Sequence, residues 1–276
     1  MFPTTTVGSL PKPDWLAEPE KLWAAWRLSG DELQRAKERA ALEWLREQEA
    51  AGIDIVGDGE QFRMHFVHGF LEGLDGIDWT RKTRMGIRNN RYEADVPTVT
   101  GPLHRPGPVH VPDAAFMRRH TTQKLKVTLP GPMTICDTLA DGYYGRRADM
   151  AMRFAELLNA EAREIEAAGA EVIQFDEPAF NVFLEEVREW GLPALERAMQ
   201  GLRATTVVHI CYGYGIEANM QWKASLGDQW RQYEQIFPWI NASSVQQVSL
   251  LRQHGRRWFV QGWLAVSCSL PMLFIV

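Results

Sequence analysis

Cysteine is scarce in this chain: Cys136, Cys211 and Cys268 are the only three in 276 residues. Three cysteines cannot build a paired disulfide framework, and so few point to a reducing compartment, with the cytoplasm as the expected location. An excess of positive charge is also missing. The 30 Lys and Arg are outnumbered by 35 Asp and Glu, for a net charge of -5, and no basic stripe alternates with aromatics. Nucleic acid is therefore not an expected partner. Met1-Phe2-Pro3-Thr4-Thr5 lacks the basic and apolar regions of a secretion signal. No internal repeat or low-complexity segment stands out.

Long uncharged runs are absent too, with one exception. From Trp258 to Val276 no residue is charged, and the run ends in Pro271-Met272-Leu273-Phe274-Ile275-Val276. Its length is close to the roughly 20 residues that span a bilayer. Gln261, Ser267, Ser269 and Pro271 dilute it, so a buried terminal segment or an altered C-terminus is the expectation, and a membrane is not an expected partner.

What the sequence does have is a hydrophobic content of 45%, enough for one large core, and α/β barrels commonly run to about 250 residues as a single domain. Short apolar runs alternate with amphipathic stretches. Ser29-Gly30-Asp31-Glu32 reads as a capping box opening a helix that runs to Ala51 and ends at Gly52. Strands are expected at residues 4–9, 53–56, 125–129, 172–175, 205–210 and 244–250, and further helices at 147–168 and 192–203. Six strands alternating with helices are the signature of parallel βαβ units. The expected fold is α/β, a TIM-type (β/α)8 barrel incomplete at its C-terminal end: a barrel domain over residues 1–250 and a divergent apolar tail over 251–276. Residues 78–120, rich in Pro, Gly, Arg and His, break the rhythm. They read as an excursion, in part a hairpin, packed over the barrel mouth.

Chemically loaded residues follow the strands, where a β/α barrel builds its active site. His209 and Cys211 lie two apart at a strand end and so face the same way, and an imidazole and a thiolate together suit zinc. The competing structural reading is a core histidine and a buried cysteine. Asp176-Glu177-Pro178 and Asp58-Gly59-Glu60 each deliver carboxylates at the same end, where a solvated loop acid or a helix cap is the plainer role. His65 and His68, interleaved with Phe62, Phe66 and Phe70, read as a packing face of a helix rather than a metal pair. Tyr143-Tyr144-Gly145-Arg146-Arg147 reads as an exposed loop before a helix. Most of the 11 tryptophans serve packing, with Trp222, Trp230 and Trp239 as candidates to line a cleft.

Five motifs then carry a resemblance: Thr4-Thr5-Thr6-Val7-Gly8-Ser9, the run from Gly52 to Glu60, Leu129-Pro130-Gly131-Pro132-Met133-Thr134, Asp176-Glu177-Pro178-Ala179 and His209-Ile210-Cys211-Tyr212-Gly213. In this order they resemble the C-terminal catalytic barrel of cobalamin-independent methionine synthase, in its short single-domain form, over residues 1 to about 250. The resemblance implies zinc-dependent methyl transfer to the sulfur of homocysteine. It implies His209 and Cys211 as zinc ligands, and Gly8, Ser9, Glu60 and Asp176 as substrate-binding, with Glu60 and Asp176 at the catalytic centre. The implied donor is a methylated folate or a methyl-corrinoid, the latter carried by a corrinoid protein.

The chain departs from the family pattern after Val248-Ser249-Leu250. Leu251 stands where the family carries a Glu ligand, and Cys268, in Ser267-Cys268-Ser269, does not match the family's second Cys ligand. The family's proton-donating His motif is missing as well. This predicts a truncated and replaced C-terminus, as a reading-frame change would produce, and an impaired site. Three other activities stay open: a different zinc thiol-alkyl transferase, a metal-free decarboxylase of the uroporphyrinogen type, and a catalytically dead barrel acting as a binding protein.

Overall fold

The computed structural model describes residues 3–18, 25–212, 217–225 and 232–250. Leu251, Cys268, Gly213, Trp230 and the apolar tail lie outside the described residues. Helix α1 (Gly30–Ala50) presents Ala36, Ala40, Ala41 and Leu45 inward at helical spacing, and Gly52 closes it with φ +74. The capping box does not form. Gly30 takes a left-handed φ of +56, which breaks helical geometry between Ser29 and the first turn, and the Ser29 side chain makes no cap bond.

Strand β1 (Ile55–Val56) follows, then the short helix α2 (His68–Leu71). The excursion is a long antiparallel hairpin, β2 (Asp75–Ile87) with β3 (Tyr92–His104), and a helix α3 (Val111–Arg118). Strand β4 (Lys124–Pro130) leads into helix α4 (Pro132–Cys136) and a two-residue strand β5 (Ala140–Asp141), which adds to the hairpin beside β3. The rest alternates: α5 (Arg147–Ala167), β6 (Val172–Asp176), a 3-10 turn (Pro178–Asn181), α6 (Leu184–Glu186), a π-helical turn (Val187–Gly191), α7 (Leu192–Met199), β7 (Thr205–Ile210), α8 (Glu217–Ser225), α9 (Gln232–Asn241) and β8 (Gln247–Leu250).

Strands β1, β4, β6, β7 and β8 form one parallel sheet in that order. The Thr4–Ser9 segment joins it by a single parallel bridge, Thr5 to Ile55, rather than as the full strand expected. This is a curled half-barrel, an incomplete TIM-type barrel among the described residues. Its two faces follow from a period of two along each strand. Leu129, Ile173, Phe175, Val208, Ile210 and Val248 face outward and pack against Phe154, Leu158, Leu195 and Ala198 of the helices. Each such buried side chain contributes about 1.5–3 kcal/mol. On the inner face, Ile55, Val172 and Val207 form a small apolar floor.

The hairpin tip reaches the C-terminal end of the sheet. The buried Arg88 pairs with Asp137, just past α4, through both its guanidinium and its backbone N–H. Arg91 lies over the Trp222 ring of α8, 3.1 Å from its centroid. No helix among the described residues is long and apolar enough to cross a membrane.

Candidate functional site

Above the apolar floor, the inner face turns polar. The register pairs Thr128 with Gln174, Pro130 with Asp176, Asp176 with His209, and His209 with Ser249. Four adjacent strands thus place hydroxyl, amide, carboxyl and imidazole groups on one buried wall.

Glu60 enters this wall from the loop after β1. It is buried and sits in the left-handed region with φ +59, a conformation that costs a non-glycine residue about 1–3 kcal/mol and clusters at functional sites. The Thr128 hydroxyl donates to Glu60 Oε1 at 3.1 Å. Arg63, buried as well, donates to the Thr128 carbonyl at 2.8 Å and to its hydroxyl at 2.5 Å, with its guanidinium 3.7 Å from Glu60 Oε1. Gly8 packs against the same carboxylate: a Cβ there would stand 3.0 Å from Glu60 Oε1 and 3.3 Å from Thr128 Cγ2. Leu10 N–H bonds the Gly59 carbonyl at 3.0 Å, so the exposed Ser9 is held between two fixed neighbours.

Asp176 lies across from Glu60. Burial, and then the Glu60 charge, push its carboxyl up to about 7, against the pull of the Gln174 amide, Arg63 and Lys126. Gln174 Nε2 donates to Asp176 Oδ1 at 2.7 Å. The site therefore holds two carboxyls and two cations in a space nearly closed to water. Gly8 packs against Glu60, Gln174 ties the preceding Val7 carbonyl to Asp176, and the exposed Ser9 follows Gly8.

Glu177 has a different job. Its carboxylate accepts the N–H groups of Met133 and Thr134, both at 2.9 Å, and the Thr134 hydroxyl at 2.7 Å, and so caps α4 from the end of β6. Burial pushes this carboxyl up to about 7 against those bonds. Gly131 makes room for it, since a Cβ there would fall 2.1–2.3 Å from the Glu177 side chain.

His209 stands beside Asp176 on the next strand. Its Nδ1 pairs with Ser249 Oγ at 2.9 Å, and burial pulls its pKa down to about 4, so the ring is neutral and Nε2 is left for a further partner. Cys211, half-buried, follows β7; its carbonyl accepts Asn181 Nδ2 at 2.8 Å. A neutral imidazole oriented through its other nitrogen, next to a thiol, fits zinc in kind. In number the set falls short of the three protein ligands usual at a catalytic zinc: among the described residues no third His, Cys, Asp or Glu completes a group with these two.

The other candidates take structural roles. His65 precedes α2 rather than sharing a helical face with His68, and its Nδ1 accepts the N–H groups of Val67 and His68 at 3.3 and 3.4 Å. Both rings are buried, with centroids 5.1 Å apart. Tyr143 is an exposed loop residue, while the Tyr144 hydroxyl accepts Leu103 N–H at 3.0 Å and ties that loop to the hairpin. Trp222 stacks with Tyr212 near the end of β7, and Trp239 packs against the main core.

Sequence reasoning missed Arg63, Lys126, Thr128, Gln174 and Ser249. A signal was present: Lys126 and Thr128 in β4, and Gln174 and Asp176 in β6, alternate with apolar residues inside strands buried on both faces. A polar residue at that period inside a buried strand points into the barrel.

Known proteins resemble this chain. Residues 2–213 match the family model described as the cobalamin-independent synthase catalytic domain. A methionine synthase of Sulfurisphaera tokodaii is 32% identical over 251 residues, covering 91% of this chain and 68% of that protein. One from Sulfolobus acidocaldarius is 34% identical over 214 residues, covering 77% of this chain and 62% of that protein. The chain thus spans about two thirds of the length of these relatives. The solved structure of a B12-independent methionine synthase from a Shewanella species, in complex with selenomethionine, superposes with a TM-score of 0.88 at 55% identity, covering 91% of this chain and 74% of that one. A Listeria monocytogenes protein, described as a putative vitamin-B12 independent methionine synthase, shares the fold with a TM-score of 0.69 at 16% identity.

Proposed function

The chain belongs to the cobalamin-independent synthase catalytic-domain family, whose members are methyltransferases, and on that premise we propose that it transfers a methyl group to the sulfur of homocysteine to form methionine. The observation that carries this reading is the placement of Glu60 and Asp176 around Gly8 and Ser9, with His209 on the adjoining strand. An amino acid entering this wall meets carboxylates for its ammonium and, at the Gly8–Ser9 bend, a hydroxyl and backbone N–H groups for its carboxylate. Its side chain then extends toward His209 and Cys211. The Shewanella relative's bound selenomethionine is the selenium analogue of the product and supports an amino-acid site of this kind.

His209 and Cys211 would hold a zinc ion, which would favour the thiolate of a substrate thiol whose free pKa is near 8.5. The chain's own residues do the rest. Glu60, clamped by Thr128 and Arg63, gives the substrate ammonium a fixed counter-charge. Asp176, whose carboxyl burial and the Glu60 charge push up to about 7, is drawn toward its charged form when that ammonium arrives, so ammonium and carboxylate stabilise each other. Both fix the sulfur in line with the methyl group, which is the main source of rate in such a transfer. The sulfur electron pair forms the new S–C bond as the donor–methyl bond breaks, and the donor leaves with that bond pair and takes up a proton. The relatives are described as B12-independent, so the donor we favour is a methylated folate rather than a methyl-corrinoid or its carrier protein.

Titration calorimetry of the full chain with homocysteine, with and without added zinc, tests this reading, alongside mass-spectrometric detection of methionine made from methyltetrahydrofolate. Binding that weakens in Glu60→Gln and Asp176→Asn supports it. Homocysteine binding that is absent with zinc present sinks it.

A further inference from the structure

The Thr4–Ser9 segment carries Gly8 and Ser9, yet it hardly belongs to the sheet. Beyond the Thr5 bridge to Ile55, no ladder bond is seen for its Thr6 or Val7 carbonyl among the described residues. These carbonyls are part-buried, and the Thr6 carbonyl has a local donor in the Thr5 hydroxyl at 3.3 Å; a buried polar group left unpaired costs about 1–3 kcal/mol. Two side chains from other strands supply further donors. Lys126 Nζ donates to the carbonyls of Thr6 and Val7, the latter at 3.0 Å, and to Gln174 Oε1 at 3.1 Å. Gln174 Nε2 donates to the Val7 carbonyl at 2.9 Å and to Asp176 Oδ1 at 2.7 Å.

We propose that Lys126 and Gln174 are positioning residues: a buried strut that fixes the Gly8–Ser9 bend relative to Asp176 and so sets the width of the amino-acid pocket. The inference rests on the assignment of Gly8, Ser9 and Asp176 to the substrate. The donor count supports it. An ammonium has three protons and an amide two, and the three Lys126 bonds and two Gln174 bonds use all of them. Neither side chain has a donor left for a ligand, although both are almost fully buried beside the site, 3% and 1% exposed. Charge supports it as well. The Lys126 ammonium is taken from water between Glu60 and Asp176, whose charges hold it, while burial pulls its pKa down to about 8. A lysine in so costly a place that reaches no ligand is explained by what it holds. The strut joins three segments far apart in sequence, at Val7, Lys126 and Gln174, and Gly8 follows Val7 directly. A loss of these bonds therefore moves Ser9 against Asp176, and the Gln174 substitution does so without removing the Lys126 charge that His209 feels.

The test compares Lys126→Met and Gln174→Met with Ser9→Ala and Asp176→Asn in the full chain. Homocysteine dissociation constants come from calorimetry, KM and kcat from turnover, zinc content from atomic absorption, and folding from circular dichroism. The strut predicts that both Met variants fold, keep wild-type zinc content, and bind homocysteine at least about tenfold more weakly, with kcat changed less than KM, since a misfitted amino-acid pocket loses binding shared by ground and transition states. If Lys126→Met does not fold, Gln174→Met decides alone, because it keeps the volume and the charge balance. Homocysteine affinity within twofold of wild type in a folded Met variant, while Asp176→Asn is weakened, overturns the strut and leaves the amino-acid reading standing. A fall in zinc content and melting temperature at unchanged affinity also overturns it, as a purely structural role. Unchanged affinity in both Ser9→Ala and Asp176→Asn removes the amino-acid reading itself, and the strut with it.

Discussion

Asp176 and His209 are register partners on neighbouring parallel strands, which sets the backbones that carry the proposed ammonium partner and the proposed zinc ligand about one strand spacing, roughly 4.8 Å, apart. A short amino acid with a two-carbon arm to its sulfur bridges such a gap. The pairing also explains how one wall of a half-barrel can carry both halves of the chemistry.

The hydroxyl of Ser249 orients the His209 ring at 2.9 Å. We expect Ser249→Ala to lower zinc affinity about 10- to 100-fold, the usual cost of losing a partner behind a histidine ligand. Cys211→Ser and His209→Ala should lower it further, each removing a donor. Competition with a chromophoric chelator reads the affinity directly, and zinc binding unchanged in all three variants would remove His209 and Cys211 from the metal site.

Gly8 touches Glu60 with no room to spare, since its missing Cβ would stand 3.0 Å from Oε1. Gly8→Ala should push the carboxylate off the Thr128 hydroxyl and raise the homocysteine KM about tenfold, while the melting temperature moves by only a few degrees. Arg63→Met should weaken homocysteine in the same direction by freeing Glu60, with a larger stability loss because the Arg63 side chain is buried.

Gly131 and Glu177 form a structural pair. Glu177→Ala leaves the buried N–H groups of Met133 and Thr134 without their acceptor, at about 1–3 kcal/mol for each group. Gly131→Ala drives a methyl into the Glu177 side chain, 2.1 Å from its nearest atom. Both variants should lower the urea midpoint by an amount equivalent to about 3 kcal/mol or more. A Gly131→Ala protein as stable as wild type would refute the close approach.

His110 gives a pH signature of the interior beside Arg63. Its ring is buried, and burial, then the Arg63 charge, hold its pKa down at about 3. A histidine whose folded pKa is depressed stabilises the fold above its unfolded value near 6.5, and that stability is lost as pH falls from 6.5 toward 3. Asp113, whose carboxyl lies 3.3 Å from His110 Nδ1, works against it: burial raises that carboxyl to about 7, so its contribution falls as pH rises from about 4 to 7. Urea unfolding at pH 7.5 and pH 5 separates the two. His110→Gln should lose about 2 kcal/mol less than wild type on acidification, and Asp113→Asn should lose more than wild type. Parallel pH curves for wild type and His110→Gln would show that the ring is not held neutral.

Much of the architecture could be read from local pattern. The apolar runs at 125–129 and 205–210 are strands close to the expected bounds, and Gly52 and Gly169 end α1 and α5. The chemistry at the ends of β6 and β7 was visible as well, because Asp176, His209 and Cys211 sit where strands stop. The capping box at Ser29 misled because one dihedral, at Gly30, undoes it. The Thr4–Ser9 run has strand composition but only one bridge, since its carbonyls are taken by side chains instead of a neighbouring backbone.

By itself, then, the sequence determined where most of the parallel strands lie and which ionisable groups stand at their ends, because apolar runs, glycine position and motif order are local properties of the chain. Only the tertiary structure decided how those groups are held. That Lys126 reaches Val7, that Arg63 and Thr128 clamp Glu60, and that Ser249 orients His209 depend on the curvature of the sheet, which turns one face of separate strands into a common interior. Where water is excluded, buried donors such as Lys126 Nζ and Gln174 Nε2 find their acceptors across the sheet, and those long-range pairs fix the site.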